Sequence, residues 1–170
     1  IEVCQVVRNA KNQIENEKVL AAIRGVFALQ NSAKKDSRED ELRQRLRYIL
    51  SQLGMSGERG TQDIIDACCF VREHGGTVSS SGIRALCMAL CPDAPKSTEQ
   101  RMRRAIERSL RHIASLGLED YTNEVFVRYA THLFPFEEVR REMAAIQGRG
   151  RGGHVSVKTF LDGLMVLLDD

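Results

Sequence analysis

Apolar residues in this chain recur every three or four positions, and most such runs stop at a glycine or a proline. That spacing puts them on one side of an α-helix. A half-buried strand needs strict alternation, and no alternating stretch is long enough to make one. Leu42, Leu46, Ile49, Leu50 and Leu53 form a strong stripe that ends at Gly54. After the turn MSGERG, residues 61–74 repeat the pattern through Ile64, Ile65, Cys68, Cys69 and Val71, stopping at Gly75 and Gly76. Ser79, Ser80 and Ser81 offer N-caps for a helix running to Leu90, with Ile83, Leu86, Cys87 and Leu90 turned inward. Pro92 and Pro95 then break the chain. Ser97 or Thr98 starts the next helix, with Glu99 and Gln100 near the capping-box offset, and Gly117 ends it. Residues 121–134, 136–146 and 157–168 read as further helices, with GRGRGGH (148–154) as a flexible basic loop between the last two.

The fold expected is all-α: a multi-helix domain containing a helix-turn-helix-like unit, preceded by a linker helix. Residues 2–29 have helical composition, and a heptad trace passes through Val3, Val7, Ala10, Ile14, Glu17 and Ala21. Glu17 and then Arg24 spoil it as a coiled coil. NSAKKDSRED (31–40) is polar and mixed in charge and reads as a surface connection or a helix start. The expected division is residues 1–36 as a linker or dimerisation helix and 37–170 as the helical domain.

Composition excludes several classes. With 42% apolar and 28% charged residues the chain is ordinary for a soluble protein, and the absence of Trp and the three Pro favour helices over a β-sandwich. No apolar run approaches the roughly 20 residues that span a bilayer. The opening IEVCQVV has neither an initiator Met nor a basic-then-apolar leader, as expected of a fragment or processed product. Five cysteines, an odd number, argue for reduced thiols and a cytoplasmic location. Cys87 and Cys91 share a helical face, but no CxxC or HxxxH supplies further ligands and His74, His112, His132 and His154 are scattered. They read as small buried side chains, and neither a metal nor a cofactor is expected. No GxSxG, Cys/His spacing or GxxxxGK[ST] loop supports an enzyme, and Asp169 and Asp170 have no acid/base neighbours.

One segment concentrates positive charge. Residues 96–112 hold six Lys/Arg (Lys96, Arg101, Arg103, Arg104, Arg108, Arg111) and two acids (Glu99, Glu107), a local +4 in a chain of net charge +2, so the remainder carries −2. At about 100° per residue, Arg104, Arg108 and Arg111 lie within about 80° of Arg101. Met102, Ile106, Leu110, Ile113 and Leu116 fall on a different arc. One side can bury while the other presents guanidinium groups, whose planar fork suits phosphate oxygens and the O6/N7 edge of guanine. Gln100, at the border of the stripe, is a type that pairs with adenine. A solvated face is the plain alternative, with Glu107 pairing to Arg103 or Arg111. The preceding helix, the break and a helix opening on small hydroxyl and basic residues favour helix-turn-helix order, although the connection of about 91–96 is longer than the usual tight turn.

LCPDAPKSTEQRMRRAIERSL, especially its R-x-x-R-A-I, is similar to the recognition region of the effector domain of the sporulation master response regulator of spore-forming bacteria. ILSQLGMSGERGTQDIIDA resembles the first helices of the same domain. The stronger resemblance is to the DNA-binding output domain of YcbB/GlnL-like response regulators linked to glutamine metabolism. It continues through EQRMRRAI, IASLGLEDYTNEVF and VKTFLDGL, over roughly residues 45–168. The resemblance implies a sequence-specific domain for double-stranded DNA in a two-component transcription factor. A single helix-turn-helix half-site is too short for specificity, so a homodimer on DNA is expected, and no membrane partner. The resemblance also implies an upstream receiver phosphorylated on Asp, for which this chain has no room. By that analogy Gln100, Arg103, Arg104, Glu107 and Arg108 read bases, while Lys96, Ser97, Thr98, Arg101 and Arg111 hold phosphates. GRGRGGH either follows a minor groove or phosphates, or merely connects two helices. A helical RNA- or protein-interaction module using the same stripe is the alternative function.

Overall fold

The computed structural model describes residues 2–76, 78 and 82–169. These form seven helices and no strand: α1 (Glu2–Gln52), α2 (Arg59–Glu73), α3 (Ile83–Leu90), α4 (Pro95–Glu119), α5 (Glu124–Leu133), α6 (Phe136–Ile146) and α7 (Val157–Asp169). The all-α expectation holds. The serine caps expected at 79–81 lie outside the described residues.

The chain divides into two compact units, the first ending at Glu41 and the second beginning at Leu42. The first unit is the N-terminal part of α1. Every side chain from 3 to 41 is exposed, including those of Val7, Ile14, Leu20, Ile23 and Phe27. The helix runs through NSAKKDSRED without a break, which overturns a connection there. That stretch has no Gly or Pro, and its Ala, Lys, Arg and Glu are good helix formers despite the lack of an apolar face.

In the second unit Leu46, Ile49, Leu50 and Leu53 enter the core. The stop at Gly54 is a left-handed cap. Its φ is 71°, its N–H donates to the Ser51 carbonyl at 3.1 Å, and the Met55 N–H donates to the Leu50 carbonyl at 3.0 Å. These bonds satisfy carbonyls that the helix end leaves open.

The hub is α4, which packs against α2, α3, α5, α6 and α7. It buries Met102, Ala105, Ile106, Leu110, Ile113 and Ala114, and each large apolar side chain so buried contributes about 1.5–3 kcal/mol. Two details of α4 differ from expectation. It begins at Pro95 rather than at Ser97 or Thr98, because proline at the first helical position gives up an N–H that has no helical partner anyway. It also continues through Gly117 to Glu119. A Cβ on Gly117 would lie 2.4 Å from both Met143 Cε and Phe126 Cε2, so this glycine admits α5 and α6 rather than ending a helix. Asn123 caps α5, accepting from the Val125 and Phe126 N–H groups at 3.0 and 3.1 Å, which starts that helix later than residue 121.

The closest approach joins α2 to α4. A Cβ on Gly60 would stand 2.1 Å from the Arg101 carbonyl oxygen and 3.0 Å from Ala105 Cβ. Gly60→Ala should therefore lower unfolding free energy by about 1–3 kcal/mol, read as a drop in urea midpoint. At Gly25, where nothing stands within 4 Å, an alanine should instead raise the helical signal, by about 1 kcal/mol in local helix propensity.

Candidate nucleic-acid interface

Residues 91–94 join α3 to α4. The Cys91 N–H donates to the Cys87 carbonyl at 2.9 Å, and the Ala94 N–H to the Cys91 carbonyl at 3.2 Å. The Thr98 N–H then closes the first turn of α4 on the Ala94 carbonyl at 3.1 Å. Both α3 and α4 pack on α2, so the turn sits on a three-helix base.

The outer side of α4 is continuous. Lys96, Ser97, Gln100, Arg104, Glu107, Arg108 and Arg111 are all exposed. Their spacing of three or four lays them along one side for about 22 Å, at about 1.5 Å per residue. Lys96, Gln100, Arg104, Glu107 and Arg111 make no side-chain hydrogen bond or ion pair among the described residues. The pairing of Glu107 with Arg103 or Arg111 that a solvated face would permit does not form among the described residues. Arg103 pairs instead with Glu99, one turn toward the N-terminus, at 3.1 Å.

The remaining sequence candidates are held within the fold. Arg101 clasps Asp63 of α2 with Nε at 2.7 Å and Nη2 at 3.0 Å, and also donates to Ser97 Oγ at 3.2 Å and Thr98 Oγ1 at 3.1 Å. The hydrogen bond to Asp63 holds its guanidinium above the ordinary arginine range. Arg103 donates to the Val155 carbonyl at 3.2 Å as well as to Glu99. Arg108 reaches Glu58, but from an exposed position. Thr98 must be corrected as a phosphate contact. It is 1% exposed, and its hydroxyl donates to the Ala94 carbonyl at 3.2 Å. Helical phase puts it on the side of Met102 and Ala105, away from the stripe.

Three features escape the sequence reading: the carboxylates of Glu58 and Asp63, and the exposed Arg59. Only the α2–α4 approach brings them to the stripe. Arg59 sits between Glu58, which binds Arg108, and Gly60, which lies against the Arg101 carbonyl. The one trace of this in the sequence is a glycine inside the first turn of a helix.

Burial, with Glu99 and Asp63 adding to it, pushes the Cys87 thiol up to about 11, and burial pushes Cys68 up to about 12. Such thiols are protonated at neutral pH and poorly nucleophilic. No group of three His, Cys, Asp or Glu among the described residues is placed to hold a metal ion. A cleft of about 370 Å³ lined by Arg45, Tyr48, Arg128 and Tyr129, among others, includes no residue of the stripe. No helix among the described residues is long and apolar enough to cross a membrane.

Residues 45–164, from the end of α1 into α7, match the YcbB domain family, and the chain belongs to that family. It is 30% identical over 172 residues to the transcriptional regulatory protein GlnL of Bacillus subtilis (strain 168), an alignment covering 88% of this chain and 55% of that protein. The chain thus spans about half the length of this curated relative. No solved structure matches it.

Asp63→Asn should remove the charge that clasps Arg101 and lower stability by about 1–2 kcal/mol in urea unfolding. Arg104→Ala, which breaks no recorded contact, should change it by less than about 0.5 kcal/mol. Alkylation of the native chain at pH 8 should label the exposed Cys4 quickly and spare Cys68 and Cys87 until denaturant is added.

Proposed function

We propose that this chain is the DNA-binding output part of a two-component response regulator, controlling transcription through α4 lying in the major groove of double-stranded DNA. The observation that carries this reading is the exposed row of Lys96, Gln100, Arg104, Arg108 and Arg111 on a helix whose other side is locked in the core. The family relation to a protein named as a transcriptional regulator supports it. On this reading α3, the turn and α4 act as a helix-turn-helix unit, with the first turns of α4 reaching base edges.

Gln100, Arg104, Glu107 and Arg108 are the base readers, and Lys96, Ser97 and Arg111 hold phosphates, joined by Arg59. The exposed Arg108–Glu58 pair contributes little to stability and exchanges readily for a nucleic-acid partner. Arg101 and Arg103 serve as braces that fix the helix. Residues 1–36 are a linker or dimerisation helix leading from an upstream receiver phosphorylated on Asp, and residues 37–170 are the effector domain. A homodimer places two recognition helices on two half-sites, and the exposed Val3, Val7 and Ile14 of α1 supply apolar surface for pairing. The site of action is the cytoplasm, and the link to glutamine or nitrogen metabolism follows from the resemblance.

Duplex selection from a random pool at near-physiological salt tests the reading. A motif should be enriched, and Arg104→Ala should relax the preference at one position, at a cost of about 1–3 kcal/mol. A folded chain that enriches no motif, yet binds structured RNA or an acidic protein through the same stripe, would favour the alternative interaction module.

A further inference from the structure

We propose that the loop 148–154, GRGRGGH, is a second nucleic-acid contact: a preset arm that holds Arg149 and Arg151 against the phosphate backbone beside the groove that α4 enters. The proposal rests on the reading of α4 as a recognition helix.

Composition makes this loop a flexible connection, and in the structure both of its ends are hydrogen-bonded to α6. At its start Gly148 has φ 76° and donates to the Ala145 carbonyl at 2.9 Å, while the Arg149 N–H donates to the Ala144 carbonyl at 2.7 Å. At its end the Gly153 N–H donates to Glu142 Oε2 at 2.9 Å and the His154 N–H to Glu138 Oε2 at 2.7 Å. The next residue, Val155, is buried, and its carbonyl accepts from Arg103 of α4. A side chain at Gly152 would have to move the end of the Glu142 side chain, and Gly153 has no room for one. A Cβ on the first would lie 2.5 Å from Glu142 Oε2, and one on the second 2.3 Å from the Glu138 carbonyl oxygen and 2.9 Å from Leu110 Cδ2. The backbone is therefore clamped between α6 and α4, and between the clamps Arg149 and Arg151 are exposed. Arg149 touches the Gln147 side chain, and Arg151 makes no side-chain bond among the described residues.

The place of the arm follows from the residues it touches. Leu110 and Arg103 lie on the flank of α4, each about a quarter turn around the helix from the arc that carries Arg104 and Arg111. Segment 153–155, which touches both, thus runs along that flank beside the stripe. A helix with its side chains is about 10–12 Å across and fills a major groove about 12 Å wide, so its flanks face the bordering phosphate strands. Arg151 and Arg149, two and four residues before Gly153, are the cations that this proposal brings to phosphate, which contributes affinity and register without reading sequence.

The test measures binding of the chain to a labelled duplex of its selected site and to an unrelated duplex of equal length, across a salt series. Arg149→Ala with Arg151→Ala should weaken binding to both duplexes alike, by about tenfold at about 0.15 M salt, and flatten the log–log salt slope by about 2. The parent's circular dichroism should be retained, since both side chains are exposed. Arg149→Lys with Arg151→Lys should keep most of the slope, because phosphate contact needs the charge. Glu142→Ala, which frees the Gly153 N–H, should weaken both duplexes without changing base preference. If the double alanine variant keeps affinity and slope while Arg104→Ala still relaxes base preference, the arm is no contact and only the reading of α4 survives. If the parent binds neither duplex in a salt-dependent way, both proposals fall together.

Discussion

What α4 displays depends on a contact between two backbones. Gly60 of α2 lies so near the Arg101 carbonyl that any side chain there would collide with it. Apolar burial holds α4 in the core but is non-directional, and a helix with so broad a buried side has some freedom to roll. The close approach removes that freedom. It sets Asp63 where the Arg101 fork can meet it with two bonds, which fixes the rotation of the helix. With Arg101 turned inward against α2, Gln100, Arg104 and Arg111 face out.

This arrangement separates charge that is present from charge that is available. A helix with six cations looks uniformly basic in a count, yet Arg101 is matched by Asp63 and Arg103 by Glu99. These two lie at the edges of the exposed arc, where Asp63 of α2 and the Val155 carbonyl are also within reach. Of the cations left open, Arg104 and Arg111 lie near its middle and Lys96 at its edge, with one acid, Glu107, among them. A narrower basic strip suits a groove better than a basic cylinder, because acids and braces at the edges restrict the orientations in which a duplex gains contacts.

The helix order is legible because burial imposes its period on the sequence, and the 136–146 helix has the bounds that its pattern predicts. The misreadings share a cause. At Gly54 the residue supplies a positive φ, while at Gly117 and Gly60 it supplies the absence of a Cβ, and only the partner helices distinguish these uses. NSAKKDSRED reads as a connection because a fully exposed helix has no apolar stripe to announce it. Thr98 reads as a ligand contact because hydroxyls near a helix start often bind anions, yet its place on the arc of Met102 already turns it inward. Among the site residues, the exposed face follows from helical phase. Its acidic partners do not, since Asp63 and Glu58 come from outside α4.

The carboxylates of Glu138 and Glu142 beside a surface proposed to meet a polyanion need a physical account, and the composition of the arm supplies it. A loop of Gly and Arg has no apolar side chains with which to anchor itself, so only its backbone N–H groups can be held. Carboxylates are the strongest acceptors available for them. Both acids are engaged: Glu142 is nearly buried against Gly153, and Glu138 also pairs with Arg141 at 2.8 Å. Glu138 is thus offset by Arg141 while Glu142 accepts a backbone N–H, and the cations of the arm are left to solvent. An unclamped Gly-Arg loop would lose about 1–2 kcal/mol of backbone entropy per residue when ordered on DNA. Clamping during folding removes most of that cost from the binding step. On the proposed reading, acids placed this way would favour anion binding by holding the arm's backbone, even though each taken alone would oppose it.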